Sequence, residues 1–295
     1  MSDTPGRLVI VGTPIGNLED ISLRAARSLG EVAVVYCEDT RRTRKLYSAL
    51  GAKAPRLVRL DRHNESYMAY QVVAALADGS DVGLVSDAGM PTISDPGATV
   101  VRSVAAAGFE VSVIPGPCAV SAALALSGLP GDGHHFVGFL PRKGTQRSVS
   151  IAGIAASKVT AVIYEAANRV GRTTQDLAAA CGPDRAYASA RELTKIHEEV
   201  WRGTLGEAVR LFAEGGVEER GEWVLMVGPA DDAPPRGVEA QVLAELLGHA
   251  LAAGSSRRGA VDEVVAATGA GRKAVYQIAL GLDRPSTPKP VGSTD

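Results

Sequence analysis

The order of apolar and helix-patterned segments in this chain predicts an α/β fold. Short, uninterrupted apolar runs alternate with stretches of helical spacing, as in a parallel sheet buried on both faces. The 295 residues are 45% hydrophobic but only 4% aromatic, so the cores must be built from Val, Leu, Ile and Ala. Such a length exceeds one typical domain, and two α/β domains with a small appendage are the expected organisation.

Residues 1–6 read as a flexible start. Arg7 to Val11 is an apolar run closed by Gly12, a buried strand. Residues 20–29 have helical spacing, and Val32 to Tyr36 is a second strand. Residues 66–77 read as a helix, Val82 to Ser86 as a third strand, 96–107 as a helix and Val111 to Ile114 as a fourth strand. The Ala-rich segment 117–127 reads as helical. The pattern pauses at Gly128 to Gly133, which sets a first domain at 7–130 and a second α/β domain at 131–230. The second contains strands at Thr160 to Tyr164, Ala186 to Ala190 and Glu222 to Gly228, with a helix near 170–180. Asp231 to Gly237 reads as a linker. Beyond it, 238–282 predicts three helices, 238–253, 258–267 and 272–281, the last two flanking Thr268-Gly269-Ala270-Gly271 like a helix-turn-helix. Residues 284–295, with three prolines, read as a disordered tail.

A net charge of −2 argues against nonspecific coating of nucleic acid, though not against a local basic cleft. Three dispersed cysteines without a CxxC pair argue against a disulfide framework and against structural zinc. No apolar run reaches the roughly 18 residues of a membrane span, and a reducing cytoplasm is the expected setting.

In open α/β sheets, ligands bind beyond the carboxyl ends of the strands. Four strands here end in distinctive loops: Gly12 to Asn17, Cys37 to Arg44, Ser86 to Gly97, and Pro115 to Ala119. Their Gly residues permit close backbone approach, and their Pro residues hold the peptide groups in aim. Any one could be an ordinary turn; four converging on one sheet edge predict a ligand cleft. G-x-G-x-x-G and Walker A patterns are absent, so a dinucleotide or nucleoside triphosphate held in the usual way is not expected.

The loops Thr13-Pro14-Ile15-Gly16-Asn17-Leu18, Glu38-Asp39-Thr40-Arg41, Ser86-Asp87-Ala88-Gly89 through Asp95-Pro96-Gly97, and Pro115-Gly116-Pro117-Cys118 resemble those of the tetrapyrrole-methylase-like (class III) methyltransferases. Within that superfamily the resemblance is to the 16S rRNA cytidine 2′-O-methyltransferases. Gly138-Phe139-Leu140-Pro141, Ala190 to Lys195 and Gly221 to Val224 agree with it, and the resemblance covers roughly 7–229. Met90 replaces a more usual Thr, and Tyr164 to Arg169 is a looser version of the family's Tyr-Glu-Ser-x-x-Arg.

The resemblance implies S-adenosylmethionine folded into a crevice between two α/β domains, a homodimer, and no metal. It implies cofactor contacts from Pro14, Asp87, Gly89, Met90, Ile93, Cys118, Ala119 and Tyr164, with 16S rRNA or the small ribosomal subunit as substrate. Arg41, Arg42, Arg44 and Lys45 form a basic run at the cleft edge, and Arg142, Lys143 and Arg147 a second. Arg41, Arg42, Arg44, Arg142, Lys143 and Lys195 are the expected RNA contacts, against the plainer reading of solvated faces. A ribose hydroxyl must lose its proton as the methyl arrives. Asp39 and Glu38 are the leading acceptors, with Arg41 orienting the carboxylate or ribose; His63, Glu65, Glu192 and Lys195 follow. The competing role for Asp39 is helix capping. Competing functions are methylation of a small corrin or porphyrin precursor, phosphate-ester chemistry, and non-catalytic RNA binding in ribosome assembly.

Overall fold

The computed structural model describes residues 5–216, 218, 220–230, 240–268 and 270–282. The linker and tail read at 231–237 and 284–295 lie outside these. The chain forms two compact units, Met1–Pro229 and Ala230–Asp295.

The first unit contains two five-stranded sheets. Strands β1 (Leu8–Val11), β2 (Val34–Cys37), β3 (Arg56–Arg59), β4 (Val82–Leu84) and β5 (Val111–Ile114) form the first, in the order β3-β2-β4-β1-β5. Every pairing in it is parallel. All its strands therefore end at one edge, where the four Gly/Pro loops gather. Helices α1 (Leu23–Glu31) and α2 (Thr40–Ala49) cover one face through Ala25, Leu29 and Tyr47. Helices α3 (Glu65–Ala77) and α4 (Ala98–Ala106) cover the other through Ala69, Val72, Leu76, Val100 and Val104. Burial on both faces explains why the central strands read as unbroken apolar runs.

The second sheet is mixed. Strands β6 (His134–Phe139), β7 (Thr160–Ala166), β8 (Ala186–Arg191), β9 (Glu199–Thr204) and β10 (Glu222–Val227) take the order β6-β7-β10-β8-β9. Only β6 and β7 pair in parallel. Helices α6 (Thr145–Ala156), α7 (Val170–Cys181) and α8 (Leu205–Ala213) pack on one face against Ala161, Ile163, Leu225 and Val227. The other face, with Val162, Ala188, Ala190 and Val224, receives Val120 and Ala123 of α5 (Ala119–Ser127). Thus α5 leaves the first sheet and buries its apolar side on the second.

The other unit is a helical cluster of α9 (Ala240–Ala252), α10 (Arg257–Thr268) and α11 (Arg272–Gly281) around Leu243, Leu247, Val261, Val264 and Val275.

Six elements depart from the sequence reading: β3, β6, β9, α2, α6 and α8. Three are edge strands, whose polar residues break the apolar run, as Arg56 and Arg59 do in β3. Helix α2 buries only Thr43 and Tyr47, so it carries almost no apolar stripe. The first helix begins at Leu23 because Ser22 caps it, its Oγ accepting from the Ala25 N–H at 3.0 Å.

Candidate active site

The loops beyond β1, β2, β4 and β5 are tied to one another by backbone. Thr13 and Gly89 exchange both N–H···O bonds, at 2.9 and 3.1 Å. The Oγ atoms of Thr13 and Ser86 both donate to the Gly89 carbonyl. Gly12 lies so close to Gly116 that a Cβ on Gly12 would sit 2.6 Å from the Gly116 Cα. Gly89 adopts φ +82°, and a Cβ there would lie 3.1 Å from Ile15 Cγ2 and 3.3 Å from the Pro117 carbonyl. Glycine is thus required for conformation and for space. From the second sheet, the segment after β8 meets the β1 loop: the Asn17 N–H donates to Thr194 Oγ1 at 3.1 Å.

Among the described residues, the four non-glycine positions with positive φ are Thr92, Ser94, Glu192 and Thr194. All four lie on two loops that face this cleft. Backbone strain concentrated in this way marks a site whose geometry is imposed by its surroundings.

Two cavities open between these loops. One, of about 450 Å³, is lined largely by apolar groups, among them Ile15, Met90, Ile93, Phe139, Tyr164 and Leu193. That volume falls in the range of small-ligand sites, about 300–1,000 Å³. The second, of about 400 Å³, is lined by Thr13, Pro14, Asp87, Arg42, Lys45 and Lys195 among others. Ile15, Ala88 and Glu222 border both, so an apolar chamber adjoins a charged one.

Six residues expected at the cofactor line the apolar chamber: Gly89, Met90, Ile93, Cys118, Ala119 and Tyr164. Pro14 and Asp87 line the charged one instead. Asp87 acts there as a tie between loops. Its Oδ1 accepts from the Asp39 N–H at 2.9 Å, and its Oδ2 lies 3.6 Å from Arg42 Nε. Tyr164 packs edge-on against Phe136 and Phe139, with ring centroids 4.9 and 5.7 Å away, and burial raises its phenol pKa. Cys118 is the N-cap of α5 and makes no side-chain cap bond.

The residues expected to do the chemistry are placed differently. Glu38, Asp39 and Arg41 line neither cavity. Asp39 is the N-cap of α2 and accepts from the Arg41 N–H at 2.8 Å. The Arg41 guanidinium folds back onto the same carboxylate at 2.9 and 3.2 Å. These bonds hold the Asp39 pKa down to about 2, a poor setting for a proton acceptor. Burial raises that of Glu38, and Asp87 adds to the effect. His63 is exposed, and Glu65 is committed to the N–H groups of Gly97 and Thr99 at 2.9 and 2.7 Å.

Of the basic residues, Arg42, Lys45 and Lys195 reach the wall of the charged chamber. Lys195 is bound by Glu192 and Glu222 at 2.8 and 2.9 Å; burial opposes its charge, but these two partners outweigh it and raise its pKa. Arg41, Arg44, Arg142 and Lys143 are exposed. Arg147, read as part of the second basic run, is instead buried and structural. It binds Asp176 at 2.7 Å, Thr173 and the Pro141 carbonyl.

Asp95, which the sequence reading passed over, lines the apolar chamber. Burial above all, then the nearby Glu38 carboxylate, pushes its pKa up to about 6. Its place in the Ser94-Asp95-Pro96-Gly97 turn is the one signal the sequence carries for it.

A model of the tetrapyrrole (corrin/porphyrin) methylases matches residues 7–209. The chain belongs to this family. As a member it is a methyltransferase. It is 42% identical over 274 residues to "Ribosomal RNA small subunit methyltransferase I" of Xylella fastidiosa (strain Temecula1), covering 92% of this chain and 98% of the relative. The protein of that name from Neisseria meningitidis serogroup B is 39% identical over 275 residues, 93% of each chain. Among solved structures, the methyltransferase CobJ superposes with a TM-score of 0.57 at 20% identity, covering 79% of this chain and 97% of the other. The uroporphyrin-III C-methyltransferase of Thermus thermophilus, complexed with S-adenosylhomocysteine, does so with a TM-score of 0.53 at 23% identity, covering 76% and 97%. At that identity the shared property is the fold. Among the described residues no helix is long and apolar enough to cross a membrane.

Proposed function

We propose that this methyltransferase carries a methyl group from S-adenosylmethionine to the ribose 2′-hydroxyl of a cytidine in 16S ribosomal RNA. The observation that carries the reading is the apolar chamber joined to a charged one. The first suits an adenosyl group and a thioether chain, the second a ribose-phosphate. Support comes from the relatives named for small-subunit rRNA methylation, which align across more than nine-tenths of both chains.

In this reading Gly89, Met90, Ile93, Cys118, Ala119 and Tyr164 hold the cofactor, and Pro14 and Asp87 act from the side of the charged chamber. When bound, S-adenosylmethionine supplies a methyl carbon already activated by its positive sulfur. The loops need only fix the approach of the hydroxyl and receive its proton. Arg42, Lys45 and Lys195 hold the phosphates next to the reacting ribose. The exposed Arg41, Arg44, Arg142 and Lys143 bind the strand on either side. The same reading makes 7–130 and 131–230 two methylase domains, the substrate naked 16S rRNA or the small subunit, the active form a homodimer and the setting cytoplasmic.

The test is incubation with methyl-labelled S-adenosylmethionine and, separately, naked 16S rRNA, assembled small subunits and a tetrapyrrole precursor, followed by nucleoside analysis. Label in 2′-O-methylcytidine is expected. Label on a base, or on the tetrapyrrole alone, overturns the reading.

A further inference from the structure

We infer that Asp95 is the group that takes the proton from the attacking hydroxyl. This rests on the proposed transfer to a hydroxyl; methylation at carbon would remove the need for it.

Four acids among the described residues reach the chambers. Asp95, Glu165 and Glu222 line the apolar one, and Asp87 and Glu222 the charged one. Three of these four are already engaged. Asp87 pairs with Arg42 and accepts from the Asp39 N–H. Glu165 is fully buried and bound by Arg169 at 3.2 Å and by Thr173 at 2.6 Å. Glu222 holds Lys195. Asp95 has no Lys, Arg or His within ion-pair distance among the described residues. Among the described residues it alone combines a place on the wall of the apolar chamber with a carboxylate that has no cation within ion-pair distance.

Its backbone is held on both sides. Thr92 and Ser94 lie at φ 72° and 67°, and Gly97 at φ 128°. The Ser94 carbonyl accepts from Arg62 at 2.8 Å, and the Gly97 N–H is fixed by Glu65. A loop strained at two non-glycine positions and clamped from both flanks keeps one carboxylate in one place. A general base needs that placement.

The charged and titratable groups around Asp95 are Glu38, Asp87, Arg62 and Tyr164. Burial and the two acids raise its pKa to about 6, while Ser86 and Arg62 oppose them. A carboxyl near 6 is ionised at neutral pH yet more basic than an ordinary one. In the transfer the 2′-oxygen bonds to the methyl carbon as the carbon–sulfur bond breaks. The sulfur keeps that electron pair as a neutral thioether, and the hydroxyl proton passes to an Asp95 Oδ.

Asp95→Asn tests this. Single-turnover methylation of rRNA should fall about 100-fold or more, while calorimetric affinity for S-adenosylhomocysteine stays within a few-fold. The wild-type rate at saturating cofactor and RNA should decline as pH drops through about 6, and the residual rate of the variant should lack that limb. Asp95→Glu should recover part of the rate together with the limb. A second readout needs no turnover. A raised carboxyl pKa means that the folded protein holds this proton more tightly than the unfolded chain. Its ionisation is therefore destabilising above pH 6 and without effect below the unfolded value near 4. The Tm of Asp95→Asn should exceed that of the wild type at pH 7, with the gap closing towards pH 4. An Asn variant that methylates at the wild-type rate, or keeps the acid limb, overturns the assignment. So does a wild-type enzyme without the limb, should the variant not fold. Wild-type label found only at carbon or on a base would instead defeat the underlying reading of the function.

Discussion

Asp39 and Asp95 show how environment separates two carboxylates at the same sheet edge. Asp39 caps α2 beneath an arginine and stays ionised at low pH, whereas Asp95 is buried near other acids and is the more basic. Asp39→Asn should therefore lower Tm while leaving single-turnover methylation within a few-fold of wild type. A loss of about 100-fold would return the chemistry to the β2 loop. Gly89 is the second residue whose role follows from geometry. With φ +82° and two atoms within 3.3 Å of any added Cβ, Gly89→Val should abolish S-adenosylhomocysteine binding by calorimetry. Circular dichroism should still report a folded protein. Retained affinity would remove the β4 loop from the cofactor site. Gly89 stood out in sequence because loop glycines advertise close approach. Asp95 did not, since its burial and its lack of a cation are properties of the folded loops.

At the scale of elements, α2 is amphipathic in charge rather than in hydrophobicity. Arg41, Arg42, Arg44 and Lys45 are exposed, while Thr43 and Tyr47 face the core. Arg41→Ala with Arg44→Ala should weaken rRNA binding and lower the slope of log affinity against log salt by about 2, with cofactor affinity unchanged. An unaltered slope would make this face merely solvated. Where β7 runs into α7, the buried Glu165 is satisfied by Arg169, Thr173 and its neighbour's N–H. Arg169→Ala leaves that carboxylate without its cation and should destabilise the protein by about 3–5 kcal/mol in chemical denaturation. A change below 1 kcal/mol would show that water or protonation relieves it easily.

For the whole molecule, every residue lining the two chambers lies within Met1–Pro229. A chain ending at Pro229 should bind S-adenosylhomocysteine as the full protein does, and its rRNA methylation then measures what the helical unit contributes. Much lower cofactor affinity would contradict the self-contained site.

The sequence alone determined the parallel character of the first sheet, the Gly/Pro loops at its carboxyl edge and the family, because buried strands and close backbone approach restrict residue choice locally. The edge strands β3, β6 and β9 and helix α2 escaped notice because their residues facing water carry no such restriction. Tertiary structure decided that α5 packs on the second sheet and that the cleft divides into an apolar and a charged chamber. It also decided which of the carboxylates on the chamber walls are held by cations, as Asp87, Glu165 and Glu222 are, and that Asp95 is not. Those outcomes depend on distances between residues far apart in the chain, and charge neutralisation and burial act only through such distances.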